Sequence, residues 1–226
     1  MDRREGKMKR VFVIGNSHTS AYKVALDRNA ALSAGMNIQW FPISSMRMQN
    51  LGITTRGGLL KIGGGHRRGL TLDLLNFDAV VICGLGLVID EQNTERYSQG
   101  ALACAQNDLI HDSLAMKLLD KLRVISSVPA IILPTPLRAY DEEENFTFDP
   151  LYYQTINRLN NDIMHSKNSF ILGQPKNTII NGWHTAASLS VNENHKERSA
   201  GQIRTFIHMN EKFGEMHWND VRDLIL

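Results

Sequence analysis

"VFVIGNSHTSAYKVAL", residues Val11 to Leu26, passes from an unbroken apolar run through a glycine into small polar residues and on into a helix-period pattern. The run reads as a strand, Arg10 to Ile14, ended by Gly15. A helix follows from about His18 to Leu32, with Ala21, Val24, Ala25 and Leu32 as its apolar stripe. A strand feeding directly into a helix is one βα unit, and the rest of the chain alternates in the same way.

"GMNIQWFPIS" supplies a second strand, Asn37 to Ile43. Residues 44 to 76 mix glycine clusters with short apolar pieces and have no clear period, so they read as a long loop on the active-site side with room for a hairpin. "FDAVVICGLGL" is the clearest strand: it is apolar from Ala79 to Ile82 and bounded by Gly84 and Gly86, as a central parallel strand should be. A long helix is expected from about Tyr97 to Ser126. "VPAIILPTPL" is the fourth strand, stopped by Pro134 and Pro136, which cannot donate to a ladder. After an acidic loop, a helix is expected from Pro150 to His165, then a short fifth strand in "SFILGQP". Trp183 to Gly201 reads as polar loop, and the chain closes on a C-terminal helix. The sum is an α/β domain around a parallel sheet of about five strands.

Composition is compatible with that architecture and names no partner. At 226 residues with no dividing linker, a single domain over 1–226 is expected, residues 1–7 forming a disordered lead before Met8. Hydrophobic residues make up 42% and charged residues 21%, the ordinary range for a globular protein. A formal net charge of +2 with both signs interspersed gives no footprint for nucleic acid or an anionic membrane. Two cysteines, Cys83 inside an apolar run and Cys104, make no disulfide framework. No export signal and no apolar window of roughly 18 residues is apparent, so a cytoplasmic, soluble chain is expected.

In a parallel α/β sheet, ligands bind at the carboxyl ends of the strands. Ser17, the Gly84 to Gly86 turn and the Pro134 to Pro136 turn all fall there on this reading. Ser17 also opens a helix, whose unpaired N–H groups and dipole favour a developing negative charge. Asn16, Ser17, Thr19 and Ser20 are equally the residue types that cap helix N-termini, so Ser17 reads either as a nucleophile or as a cap. A nucleophile needs a base within hydrogen-bond reach. Of the eight histidines, His111 and His165 fall inside expected helices, His66 lies in a basic loop, and His18 is too local to Ser17 to turn its ring onto that hydroxyl. His208, in "FIHMNEKFG", stands at the mouth of the last helix behind a loop long enough to return it to the sheet's carboxyl edge.

These two blocks resemble the SGNH (GDSL-type) serine hydrolases. Their first block is a strand, then Gly-Asp-Ser or Gly-Asn-Ser, then a helix, and "VFVIGNSHTS" is similar; their last block has a histidine shortly before an asparagine at a helix start, and "HMNEKFGEM" is similar. The resemblance implies a three-layer α/β/α, flavodoxin-like domain. It implies that Ser17 attacks a small acyl ester, O-acetyl groups of a carbohydrate among the candidates, with His208 as general base and the Ser17 N–H binding the oxyanion. Asn16, Gly84 and Gly86 are the further binding positions that it points to, and no metal or organic cofactor is needed.

Two departures from the family pattern stand out. An aspartate usually precedes the histidine by three residues and orients the imidazole, and Thr205 stands there instead. A Ser–His pair alone, or a carboxylate such as Glu193, would have to serve. The third block usually carries an asparagine where this chain has Gly86, which leaves only a backbone N–H. The second block's oxyanion residue falls either in "QNLGITT", from Asn50, or at Ser44 and Ser45. A binding module that keeps the fold without these groups is therefore the rival reading. "KIGGGHRRG" lacks the Gly-Lys-Ser/Thr ending of a phosphate loop, and His208, Glu211, Glu215 and His217 do not have the His-Glu-x-x-His spacing of a metal site. The run Asp141 to Glu144 reads as a solvated loop.

Overall fold

The structure, a computed structural model, describes residues 8–43, 52–56, 58–63, 70–89, 98–140, 150–191, 205–206 and 208–226. In chain order its elements are β1 (Lys9–Gly15), α1 (Thr19–Arg28), β2 (Met36–Pro42), β3 (Gly52–Arg56), β4 (Leu59–Gly63), β5 (Leu70–Leu72), β6 (Ala79–Cys83), α2 (Gln99–Asp112), α3 (Leu114–Ile125), β7 (Ala130–Leu133), β8 (Ala139–Tyr140), α4 (Pro150–Leu159), β9 (Ser169–Ile171), β10 (Ile179–Ile180), β11 (His184–Ala186), β12 (Thr205–Phe206) and α5 (Glu211–Ile225).

Five strands form an all-parallel sheet in the order β2-β1-β6-β7-β9. Val11–Ile14 of β1 and all of β6 are apolar because both faces of the sheet are covered there. Phe12, Ile14, Val80 and Ile82 pack with Leu119 and Leu122 of α3 and Ile156 and Leu159 of α4 on one side. Val11, Val13, Val81 and Cys83 pack with Ala21, Tyr22 and Ala25 of α1 and Phe213, Trp218 and Val221 of α5 on the other. The result is a three-layer, flavodoxin-like α/β/α arrangement, the fold implied by the resemblance, built on the parallel sheet expected from the alternation. Its strand order reverses between β1 and β6, and the crevice at that reversal is where such sheets bind ligands.

Several local expectations are corrected. The stripe of α1 is Ala21, Tyr22, Ala25 and Leu26, whereas Val24 is 38% exposed. α1 ends at Arg28, and Leu32 is buried from a short 3-10 turn that Asn29 caps through its side chain. The long helix expected to Ser126 is two helices, because Ser113 adopts extended backbone and its Oγ accepts the N–H of Met116 to begin α3. The helix from Pro150 is regular only to Leu159. Its next turn widens, and the buried Asn160 there accepts Ile171 N–H at 2.7 Å and donates to the Ile171 carbonyl at 3.0 Å.

Within 44 to 76 the structure has β3, β4 and β5 as an antiparallel sheet, more than the one hairpin expected. Its Leu60, Ile62 and Leu72 join the core with Leu85 and Leu87. The stretch from Trp183 is not all loop either. β11 and its neighbours make a further sheet, β10-β11-β8-β12, in which β12 runs antiparallel to β8. Gln174, 2% exposed, fastens this region: it accepts Leu137 N–H and donates to Thr178 and Thr185.

The lead 1–7, Ser44, Ser45, Asn50, His66, the acidic run Asp141 to Glu144, Glu193 and His195 lie outside the described residues. Among the described residues, no helix is long and apolar enough to cross a membrane. Cys83 is buried, which pushes its thiol well up from the ordinary range, and Cys104 is exposed.

Candidate active site

The turn after β1 lies against the turn after β6, at the strand-order reversal. Both are shaped by local backbone chemistry. Asn16 Oδ1 accepts the N–H of His18 at 3.1 Å, and its main-chain oxygen accepts the N–H and the hydroxyl of Thr19 at 3.1 and 2.8 Å. Asn16 thus satisfies the start of α1. Ser17 is exposed, and among the described residues its Oγ has no hydrogen-bond partner. The capping role that sequence alone left open for Ser17 therefore belongs to Asn16. The serine hydroxyl is available for other chemistry, and its backbone N–H is also unpaired among the described residues.

The β6 turn is left-handed for three residues in succession, with φ of 69° at Gly84, 51° at Leu85 and 75° at Gly86. Leu87 N–H closes it on the Gly84 carbonyl at 3.1 Å. The Leu85 side chain, fully buried, holds a backbone conformation that a residue with a Cβ rarely adopts. Gly84 is required for a second reason: a Cβ there would stand 2.7 Å from Asn16 Oδ1 and 3.1 Å from His18 Cδ2. Its N–H donates to the Leu133 carbonyl at 2.7 Å, so Gly84 serves this turn by leaving space rather than by offering a donor. Gly86 is exposed, and a Cβ there would meet open space.

His208 reaches this place through its backbone. Its carbonyl accepts Val191 N–H at 2.9 Å, and Met209 bridges to Ser190. Asn210 then does two jobs. Its Oδ1 accepts Phe213 N–H and caps α5, while its Nδ2 donates to the carbonyls of Ser188 and Ser190 at 2.8 and 3.2 Å. The asparagine two residues beyond the histidine thereby ties the helix start to the returning loop. Held this way, the His208 ring lies 5.7 Å from the His18 ring, centroid to centroid, at 40°.

His18, set aside on sequence grounds as too close in the chain to Ser17, is thus part of the same cluster. It stands at the N-cap, immediately before α1, and its side chain makes no cap bond. Its Nδ1 is buried with no hydrogen-bond partner among the described residues. Burial, and secondarily the proximity of His208, lowers its pKa to about 4, so the ring is neutral near pH 7. The signal for it in the sequence was its place rather than its type: a histidine in the loop between the first strand and its helix must face either solvent or the neighbouring strand's turn.

The structure brings together Asn16, His18, Gly84 and His208, with Ser17 in the same loop. Thr205 lies in β12, its backbone paired with Tyr140, and none of the ion pairs among the described residues involves His208. Among the described residues, no three His, Cys, Asp or Glu side chains gather closely enough to hold a metal ion. In comparison with known proteins, no family model matches the chain and no curated protein matches it significantly.

Proposed function

We propose that the chain is a serine ester hydrolase in which Ser17 is the nucleophile and His208 the general base. The observation that carries this reading is the return of His208 to the Ser17 loop at the strand-order reversal, with the serine hydroxyl unengaged. Ser17 Oγ attacks the ester carbonyl as His208 takes its proton. The C–O bond then breaks and His208 returns the proton to the departing alcohol. Water, deprotonated by the same imidazole, splits the acyl-enzyme and releases the acid. The oxyanion formed in each step has donors at hand in the Ser17 N–H and in the exposed Gly86 backbone. One such donor is worth about 3 kcal/mol in well-characterised hydrolases. Small acyl esters, O-acetyl carbohydrate esters among them, are the substrate class.

A second reading, a binding domain without turnover, rests on Thr205 in the position of the orienting acid and on the absence of a Ser17–His208 hydrogen bond among the described residues. The two readings separate on p-nitrophenyl acetate and a fluorophosphonate probe. A hydrolase labels on Ser17 and loses at least about a hundredfold in kcat on Ser17→Ala. Folded protein that neither labels at Ser17 nor shows turnover sensitive to that substitution sustains the binding reading instead.

A further inference from the structure

We propose that His18 is a catalytic residue in the reaction assigned to Ser17, a neutral side-chain donor whose Nε2–H hydrogen-bonds the substrate's carbonyl oxygen. The inference rests on the hydrolase reading, and it concerns the chemistry left open where Gly86 supplies no side chain.

Three observations carry it. First, the His18 ring is fixed from several directions: Asn16 Oδ1 holds its backbone N–H, its Cδ2 lies close to Gly84, and the His208 ring stands 5.7 Å from it, tilted by 40°. Cδ2, the carbon bonded to Nε2, is thus on the side of the ring that meets the β6 turn at Gly84. Second, its two nitrogens differ. Nδ1 is sealed from solvent and has no partner among the described residues, whereas Nε2 is not among the buried unpartnered atoms. An orphaned buried N–H is rarer in folded proteins than an orphaned acceptor, so the proton belongs on Nε2, the nitrogen that can reach a ligand. Third, burial and the neighbouring His208 keep the ring neutral. A neutral imidazole polarises a carbonyl without the desolvation cost of a second cation beside the imidazolium that His208 becomes during the reaction. A charged His18 would oppose proton uptake by His208; a neutral one does not.

The alternative role for His18 is structural, filling space between the two turns. The full chain with p-nitrophenyl acetate separates the two, comparing wild type with Ser17→Ala, His18→Leu and His18→Gln. The donor role predicts a kcat lowered about 10²- to 10³-fold in His18→Leu with KM within about threefold of wild type. It also predicts at least about tenfold recovery in His18→Gln, whose amide restores an N–H. Fluorophosphonate labelling of Ser17 should slow in the same order. If His18→Leu does not fold by circular dichroism, His18→Ala, which only removes atoms, takes its place. Ser17-dependent turnover that stays within about threefold in His18→Leu, or equal losses in the Leu and Gln variants, overturns the donor role while leaving the hydrolase reading intact. Wild-type protein with no Ser17-dependent turnover overturns both.

Discussion

The phenol of Tyr22 in α1 and Nδ1 of His217 in α5 are hydrogen-bonded at 3.0 Å across 195 residues of sequence, inside the layer that backs the Ser17 loop. His217 is 1% exposed, and burial lowers its pKa to about 4, against the opposing pull of the Gly173 and Leu172 backbone. The unfolded chain therefore binds a proton between about pH 6.5 and pH 4 that the native chain refuses. Stability is fully present above that window and falls as the pH drops through it, by on the order of 3 kcal/mol for this group. His18 acts in the same direction. Urea unfolding at several pH values should show the fall, and His217→Gln should flatten a large part of it; an equal slope in both proteins would rule out His217 as its source.

Gly214 sits where α5 crosses α1, and a Cβ there would overlap the Ala21 carbonyl oxygen. Backbone cannot move aside as a side-chain tip can. Gly214→Ala should cost about 1 to 3 kcal/mol in urea unfolding. Gly100, in α2, faces open space, and Gly100→Ala should gain about 0.5 to 1 kcal/mol. Opposite signs from the same substitution would show that packing, not glycine's helix propensity, decides at position 214.

Asn210 offers a separation of cap from tether. Asn210→Ser keeps an oxygen for Phe213 N–H but loses both bonds to the 188–190 loop, and Asn210→Ala loses all three. Cap loss costs about 1 kcal/mol, so thermal denaturation should place the Ala variant below the Ser variant by that amount. Activity on p-nitrophenyl acetate should fall in both alike, because the tether is what fixes the segment carrying His208.

Gly84 and Gly86 share a left-handed backbone but not their surroundings. Alanine at either pays about 1 kcal/mol of conformational strain. Only at Gly84 does the added methyl also strike Asn16 and His18. Gly84→Ala should therefore lower kcat by at least about tenfold more than Gly86→Ala at similar melting temperature. Equal kinetics in the two variants would mean that the Asn16–His18 turn does not need its present position.

The sheet was legible in the sequence because its strands are buried on both faces. Val11 to Ile14 and Ala79 to Ile82 have no polar residue to obscure them, and each is followed within two residues by a glycine. The break at Ser113 was hidden because apolar residues recur on both sides of it, and a single serine cap leaves no period to detect. Val24 misled because valine on a helix is apolar whichever way it faces. At the site, Ser17 and His208 stood out by residue type and by distance along the chain. His18 did not, since whether a loop side chain turns to solvent or to the next strand depends on a neighbour, here Gly84, that lies far away in sequence. Gln174 and His217 were invisible for the same reason: polar residues read as surface until a fold supplies their partners.

The contact between α1 and α5 also governs timing. The segment with Ser17 is among the first parts of the fold to be synthesised, whereas the loop and helix that deliver His208 are among the last. Contacts so distant in sequence carry a large loop-closure entropy and form late. The segment of β1 and α1 is made early, but the two histidine rings cannot meet until the chain through His208 has been made. Recovery of the His18–His208 ring contact after denaturation should accordingly track the docking of α5 onto α1, not the formation of the parallel sheet.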